Sequence, residues 1–152
     1  MLSCKVLKTL AGKKLATAES LTGGGIGRAI TSVSGASQVY VGGIISYTNE
    51  VKHRLLGVAQ EDLDVFGAVS APVAKAMAMG ARSALEADVA VSVTGLAGPG
   101  GDEFGHPVGT VFIGYSDEKT SFAREYHFSG DREAVRSQTV DAALSLILEQ
   151  NQ

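Results

Sequence analysis

The sequence predicts an α/β protein: a three-layer α/β/α sandwich with a mixed, mostly parallel sheet of about five strands. Three observations carry this. Runs rich in β-formers alternate with stretches of helical periodicity along the chain. The run at 88–94 is almost continuously apolar, the pattern of a strand covered on both faces. Residues 108–128 hold two β-rich arms around a polar turn, a hairpin that sets one strand against the others.

The elements follow in order. Residues 2–11 form a short helix closed by Gly12, and residues 14–18 a short strand. Residues 23–33 read as a helix that starts in glycine and stops near Gly35. Residues 41–47 are a strand bounded by Thr48 and Asn49. Two short helices follow, 50–56 ended by Gly57 and 60–66 ended by Gly67. The clearest helix is 71–85. Val73, Met77, Ala81 and Leu85 share one face there, and Lys75 and Arg82 point away. Ser70 is its expected N-cap, with Pro72 in the first turn. Residues 96–107 hold four glycines and two prolines and read as a loop. Strands at 108–115 and 121–128 and a final helix at 132–148 complete the chain.

At 152 residues the chain fits one domain, residues 1–152, with no linker or repeat. Apolar residues make up 45% and charged residues 19%, a globular composition. A net charge of −3 gives no electrostatic footprint for nucleic acid or an anionic membrane, so neither is an expected partner. One cysteine, Cys4, excludes an internal disulfide. With no apolar run near the ~18 residues of a spanning helix, this predicts a cytoplasmic protein. The histidines form no ligand motif, so no metal and no cofactor are expected.

Glycine is the compositional outlier. The 19 glycines cluster at 23–27, 42–43 and 95–105, the signature of tight turns and close backbone approach. In open α/β sheets ligands sit at the carboxyl ends of strands. Three such ends carry notable residues. The first reads Ala-Glu-Ser-Leu-Thr-Gly-Gly-Gly. It places Ser20 between a strand and a helix, either as a nucleophile beside converging N–H groups or, with Thr22, as a helix cap. The second, Ser-Tyr-Thr-Asn-Glu-Val-Lys, puts Lys52 in the first helical turn behind a capping Asn49. A lysine there has a lowered pKa and can activate a serine; the alternative is a solvated surface lysine. The third, Thr94 to Gly101, offers bare backbone to a ligand or is a crossover loop. A fourth segment places Arg132 and Arg136 one turn apart, suited to phosphate or to pairing with neighbouring acids.

Together these segments resemble a known family. The stretches Ala18-Glu19-Ser20 with Thr22-Gly23-Gly24, Tyr47 with Asn49-Glu50 and Lys52, Gly67-Ala68-Val69-Ser70, Thr94-Gly95-Leu96-Ala97-Gly98-Pro99, Pro107-Val108-Gly109-Thr110 and Phe128-Ser129-Gly130-Asp131-Arg132 are similar to the C-terminal domain of the CinA (competence/damage-inducible) proteins, the nicotinamide-nucleotide amidohydrolases. The chain departs from that pattern in two places. Leu21 stands where the family often has cysteine, and the segment before the first strand is short. Without the molybdopterin-binding-like domain of full-length CinA, this would be the stand-alone form.

The resemblance implies hydrolysis of the carboxamide of nicotinamide mononucleotide to nicotinic acid mononucleotide and ammonia, and association into a homo-oligomer. It implies Ser20 as nucleophile, with Thr22 the other candidate, Lys52 as base and Tyr47 as its orienting or relaying partner. N–H groups around Thr22, Gly23 and Gly24 would hold the oxyanion. Asn49, Thr94, Gly95 and Gly98 would line the nucleotide site, and Arg132 would meet the phosphate. The competing expectation is a non-catalytic nucleotide-binding or partner-binding module, since fold alone does not fix function.

Overall fold

The strands are β1 (Leu15–Glu19), β2 (Tyr40–Ile45), β3 (Val89–Gly95), β4 (Thr110–Ser116) and β5 (Ser121–His127). In this computed structural model, which describes residues 1–152, they form one sheet in the order β2-β1-β3-β4-β5. β1 runs parallel to β2 and β3, whereas β4 is antiparallel to both β3 and β5. One strand of the five thus runs against the rest, as the 108–128 hairpin predicts.

Helices α1 (Leu2–Thr9), α2 (Gly25–Thr31) and α6 (Arg132–Asn151) cover one face. Helices α3 (Asn49–Leu56), α4 (Gln60–Phe66) and α5 (Ala71–Ala84) cover the other. The period-2 alternation of β3 explains the division. Val89, Val91 and Val93 join Val6, Ile26, Ile30, Val135 and Ile147 in the first core, while Ala90 meets Met77 and Ala81 in the second. Small residues on the second face let α5 approach closely. Ser92 Oγ donates to the Ala74 carbonyl at 2.6 Å, and a β-carbon on Gly114 would collide with that same carbonyl. Met77 is fully buried there, and its truncation to alanine costs about 2–5 kcal/mol.

Element ends move by up to three residues from the sequence reading, and three details bear on the site. The second helix begins at Gly25 rather than 23, because Ser20–Gly24 turns on itself through Gly23 N–H to Ser20 O and Gly25 N–H to Thr22 O. The cap of α3 is Thr48, whose hydroxyl accepts from Val51 N–H, so Asn49 is the first helical residue. Ser70 stands at the N-cap of α5, but its hydroxyl donates to the Gly67 carbonyl instead of capping. No helix is long and apolar enough to cross a membrane.

Candidate active site

The carboxyl ends of β1, β2 and β3 lie along one edge of the sheet, and the strand order reverses between β1 and β3. A cleft of about 640 Å³ opens at this edge. Ser20 enters it from the end of β1. Its backbone N–H is fixed by the Val93 carbonyl of β3, and its side chain is only 8% exposed. Lys52 enters from α3 and is 2% exposed.

The two side chains meet inside the protein. Lys52 Nζ lies 3.1 Å from Ser20 Oγ and donates to the Ser46 carbonyl at 2.8 Å. Ser46 follows β2, and its own N–H donates to Glu19 O, so the carbonyl that holds Lys52 is tied to β1. Burial disfavours the ammonium and lowers the Lys52 pKa from 10.5 to about 8. The position in the first turn of α3 predicts part of that shift from the helix terminus; in the structure the cause is desolvation. Glu50, whose carboxylate would oppose the shift, faces solvent and pairs with Arg54.

Thr22 is buried and does not line the cleft. Its hydroxyl donates to Glu19 Oε1 at 2.5 Å, and Glu19 also accepts from Ile26 N–H at 2.8 Å and Gly27 N–H at 3.1 Å. The N-terminus of α2 is therefore occupied by a carboxylate of the chain itself. Gly23 and Gly24 also lie off the cleft, and the Gly23 N–H is spent on Ser20 O. Of the expected donors Thr22, Gly23 and Gly24, none lines the cleft, and only the Gly23 N–H is spent on a backbone carbonyl. The Leu21 N–H makes no hydrogen bond within the chain, and Leu21 lines the cleft beside Ser20.

Tyr47, Asn49, Thr94, Gly95, Gly98 and Arg132 also line the cleft. The Tyr47 hydroxyl makes no hydrogen bond to Lys52. It accepts from Arg132 Nη2 at 3.3 Å, and Arg132 Nη1 donates to the Gly98 carbonyl at 2.8 Å. Arg132 thus joins the 96–109 loop to the end of β2 at the rim of the cleft. The Thr94 hydroxyl donates to Ala68 O. Gly95 and Gly98 are required by neighbours: a β-carbon would meet Thr110 O at 2.7 Å in the first case and Val108 Cγ1 at 2.6 Å in the second. Arg136 lies outside the cleft, where it donates to Leu21 O at 3.0 Å and pairs with Glu133. It holds the turn after Ser20 rather than a phosphate.

Sequence reasoning missed four residues here. Glu19 and Ser46 act through contacts made only on folding. Asp102 and Phe104 lie in a loop that the sequence reading takes only from its glycines and prolines. Asp102 Oδ1 accepts from Phe104 N–H and His106 N–H, and Oδ2 lies 2.8 Å from His106 Nδ1.

A family model for the CinA C-terminal domain matches residues 2–151. The chain belongs to the CinA C-terminal domain family. Its CinA relatives include a CinA-like protein of Nostoc punctiforme, 48% identical over 133 residues that make up 86% of this chain and 32% of that protein. A putative competence-damage inducible protein of Desulforamulus reducens is 48% identical over 136 residues, 90% of this chain and 33% of the relative. The chain spans about a third of the length of these curated CinA relatives. Among solved structures, the competence/damage inducible protein CihA of Agrobacterium tumefaciens matches with a TM-score of 0.95 and 38% identity, covering 99% of this chain and 94% of that one. A CinA superfamily protein of Klebsiella pneumoniae gives a TM-score of 0.95 at 34% identity, covering 98% and 94%.

Proposed function

We propose that the chain hydrolyses the carboxamide of nicotinamide mononucleotide, with Ser20 as nucleophile and Lys52 as general base. The observation that carries this reading is the buried Ser20–Lys52 contact at 3.1 Å at the carboxyl end of β1. A buried lysine with a pKa of about 8 is partly neutral near physiological pH and can take a hydroxyl proton.

Ser20 Oγ attacks the carboxamide carbon, and its proton passes to Lys52 Nζ. The carbonyl oxygen becomes an oxyanion facing the Leu21 N–H, the backbone donor next to the nucleophile. The Lys52 ammonium returns the proton to the departing nitrogen, the C–N bond breaks and ammonia leaves. Water then attacks the Ser20 ester, giving one proton to Lys52, which passes it back to Ser20 Oγ as the carboxylic acid is expelled and loses its remaining proton to solvent. The Ser46 carbonyl holds Nζ throughout. Arg132 offers its remaining N–H groups to the phosphate at the rim.

Incubation with nicotinamide mononucleotide, with ammonia measured, tests the proposal. Stoichiometric release by the wild type and none by Ser20→Ala is the expected result. Binding without release, even at high protein concentration, would leave a nucleotide-binding module instead.

A further inference from the structure

The loop after β3 carries an aromatic ring that the chemistry at Ser20 does not use. Phe104 lines the same cleft as Ser20 and Lys52 and is 40% exposed, although its loop is held in place. The rigidity has two sources. Asp102 accepts the N–H groups of Phe104 and His106 and pairs with the His106 ring, closing residues 102–106 into one unit. The His106 ring in turn packs edge-on against Phe112 of β4, with centroids 6.2 Å apart, so the unit is anchored to the sheet. The Phe104 ring meets Gly67 along its Cδ2–Cε2–Cζ edge. A β-carbon at Gly67 would lie 2.5 Å from Cε2, so only glycine admits the ring there. Beside it on the cleft wall, the Glu103 carboxylate makes no ion pair or hydrogen bond within the chain.

We infer that Phe104 is a specificity-determining residue: a stacking wall for a planar cationic ring, reinforced by the free Glu103 carboxylate. This rests on the amidase reading, in which the ring is a pyridinium. The cleft is then polarised along its length. Phe104, Asp102 and Glu103 suit the cationic ring by cation–π and charge attraction, and Arg132 suits the phosphate. A neutral amide or a ring without charge lacks the first half of that match.

The chain contains no tryptophan, so Phe104→Trp introduces a single indole at the site, excited selectively over the four tyrosines. Saturable quenching of this variant by nicotinamide mononucleotide, beyond that of free tryptophan at equal concentration, is expected. Quenching no greater than that of free tryptophan would overturn the inference. In steady state, Phe104→Ala is expected to raise KM roughly tenfold with kcat little changed, and Phe104→Tyr to stay near the wild type. An unchanged KM in Phe104→Ala, or full rescue by the non-aromatic Phe104→Leu, would also overturn it. Failure of the wild type to release ammonia would overturn the amidase reading alone, because the fluorescence experiment reads ring stacking without turnover.

Discussion

Lys52 Nζ and Ser20 Oγ lie 3.1 Å apart although 32 residues separate them, and neither side chain reaches solvent freely. In the proposed reaction, this contact makes turnover depend on the charge of one buried amine. Below about pH 8 Lys52 is mostly the ammonium, which cannot accept the Ser20 proton. We expect kcat/KM to rise about tenfold per pH unit on the acid side and to level above pH 8. A pH–rate profile checks this, and a rise continuing toward pH 10.5 would mean that burial does not set the lysine's basicity.

Basicity and charge can be separated at the same position. Lys52→Arg keeps a cation but cannot release its proton. Both Lys52→Arg and Lys52→Ala should lose roughly 10²–10⁴-fold in kcat with folding retained. Circular dichroism beside the ammonia assay decides it, and an active arginine variant would assign Lys52 an electrostatic role only.

Burying the amine also costs stability, with a definite sign. The folded pKa of about 8 lies below the ordinary 10.5. Between those values the unfolded chain binds a proton that the folded chain does not, so wild-type stability rises with pH across that window. Below about pH 8 the full penalty is present. Lys52→Met should therefore stabilise the fold by about 1–3 kcal/mol at pH 7, with the advantage shrinking toward pH 10.5. Denaturant melts of both proteins at pH 7 and pH 10 measure the difference.

Glu19 is 2% exposed and serves three donors around α2, the Thr22 hydroxyl and the N–H groups of Ile26 and Gly27. Glu19→Ala leaves all three without a partner. It should cost about 2–4 kcal/mol and lower turnover by loosening the turn that carries Ser20. Thermal melts and the ammonia assay on the same variant test the link. A stable variant with wild-type activity would break it.

Arg132 holds the rim by two hydrogen bonds and touches neither Ser20 nor Lys52. Arg132→Ala should raise KM for nicotinamide mononucleotide by roughly tenfold or more and have a smaller effect on nicotinamide riboside, which lacks the phosphate. Equal losses on both substrates would remove the phosphate role.

The sequence by itself determined the order and type of the elements, because hydrophobic periodicity and glycine stops are local. Val89, Val91 and Val93 announced a doubly covered strand, and Val73, Met77 and Ala81 a one-faced helix. It also brought Ser20 and Lys52 forward as candidates, from their places at strand ends and from the family's motifs. Only the tertiary structure gives Ser20 and Thr22 different partners. Both follow β1 within three residues, yet the Thr22 hydroxyl turns to Glu19 while Ser20 Oγ meets Lys52. That choice depends on where side chains point after the 20–24 turn closes, which no spacing encodes. The same holds for Tyr47, drawn to Arg132 across 85 residues of sequence rather than to nearby Lys52. It holds as well for Phe104, whose seat exists because Gly67, 37 residues earlier in the chain, has no side chain. Local sequence sets conformation; long-range packing sets which polar groups are spent on the fold and which are left for chemistry.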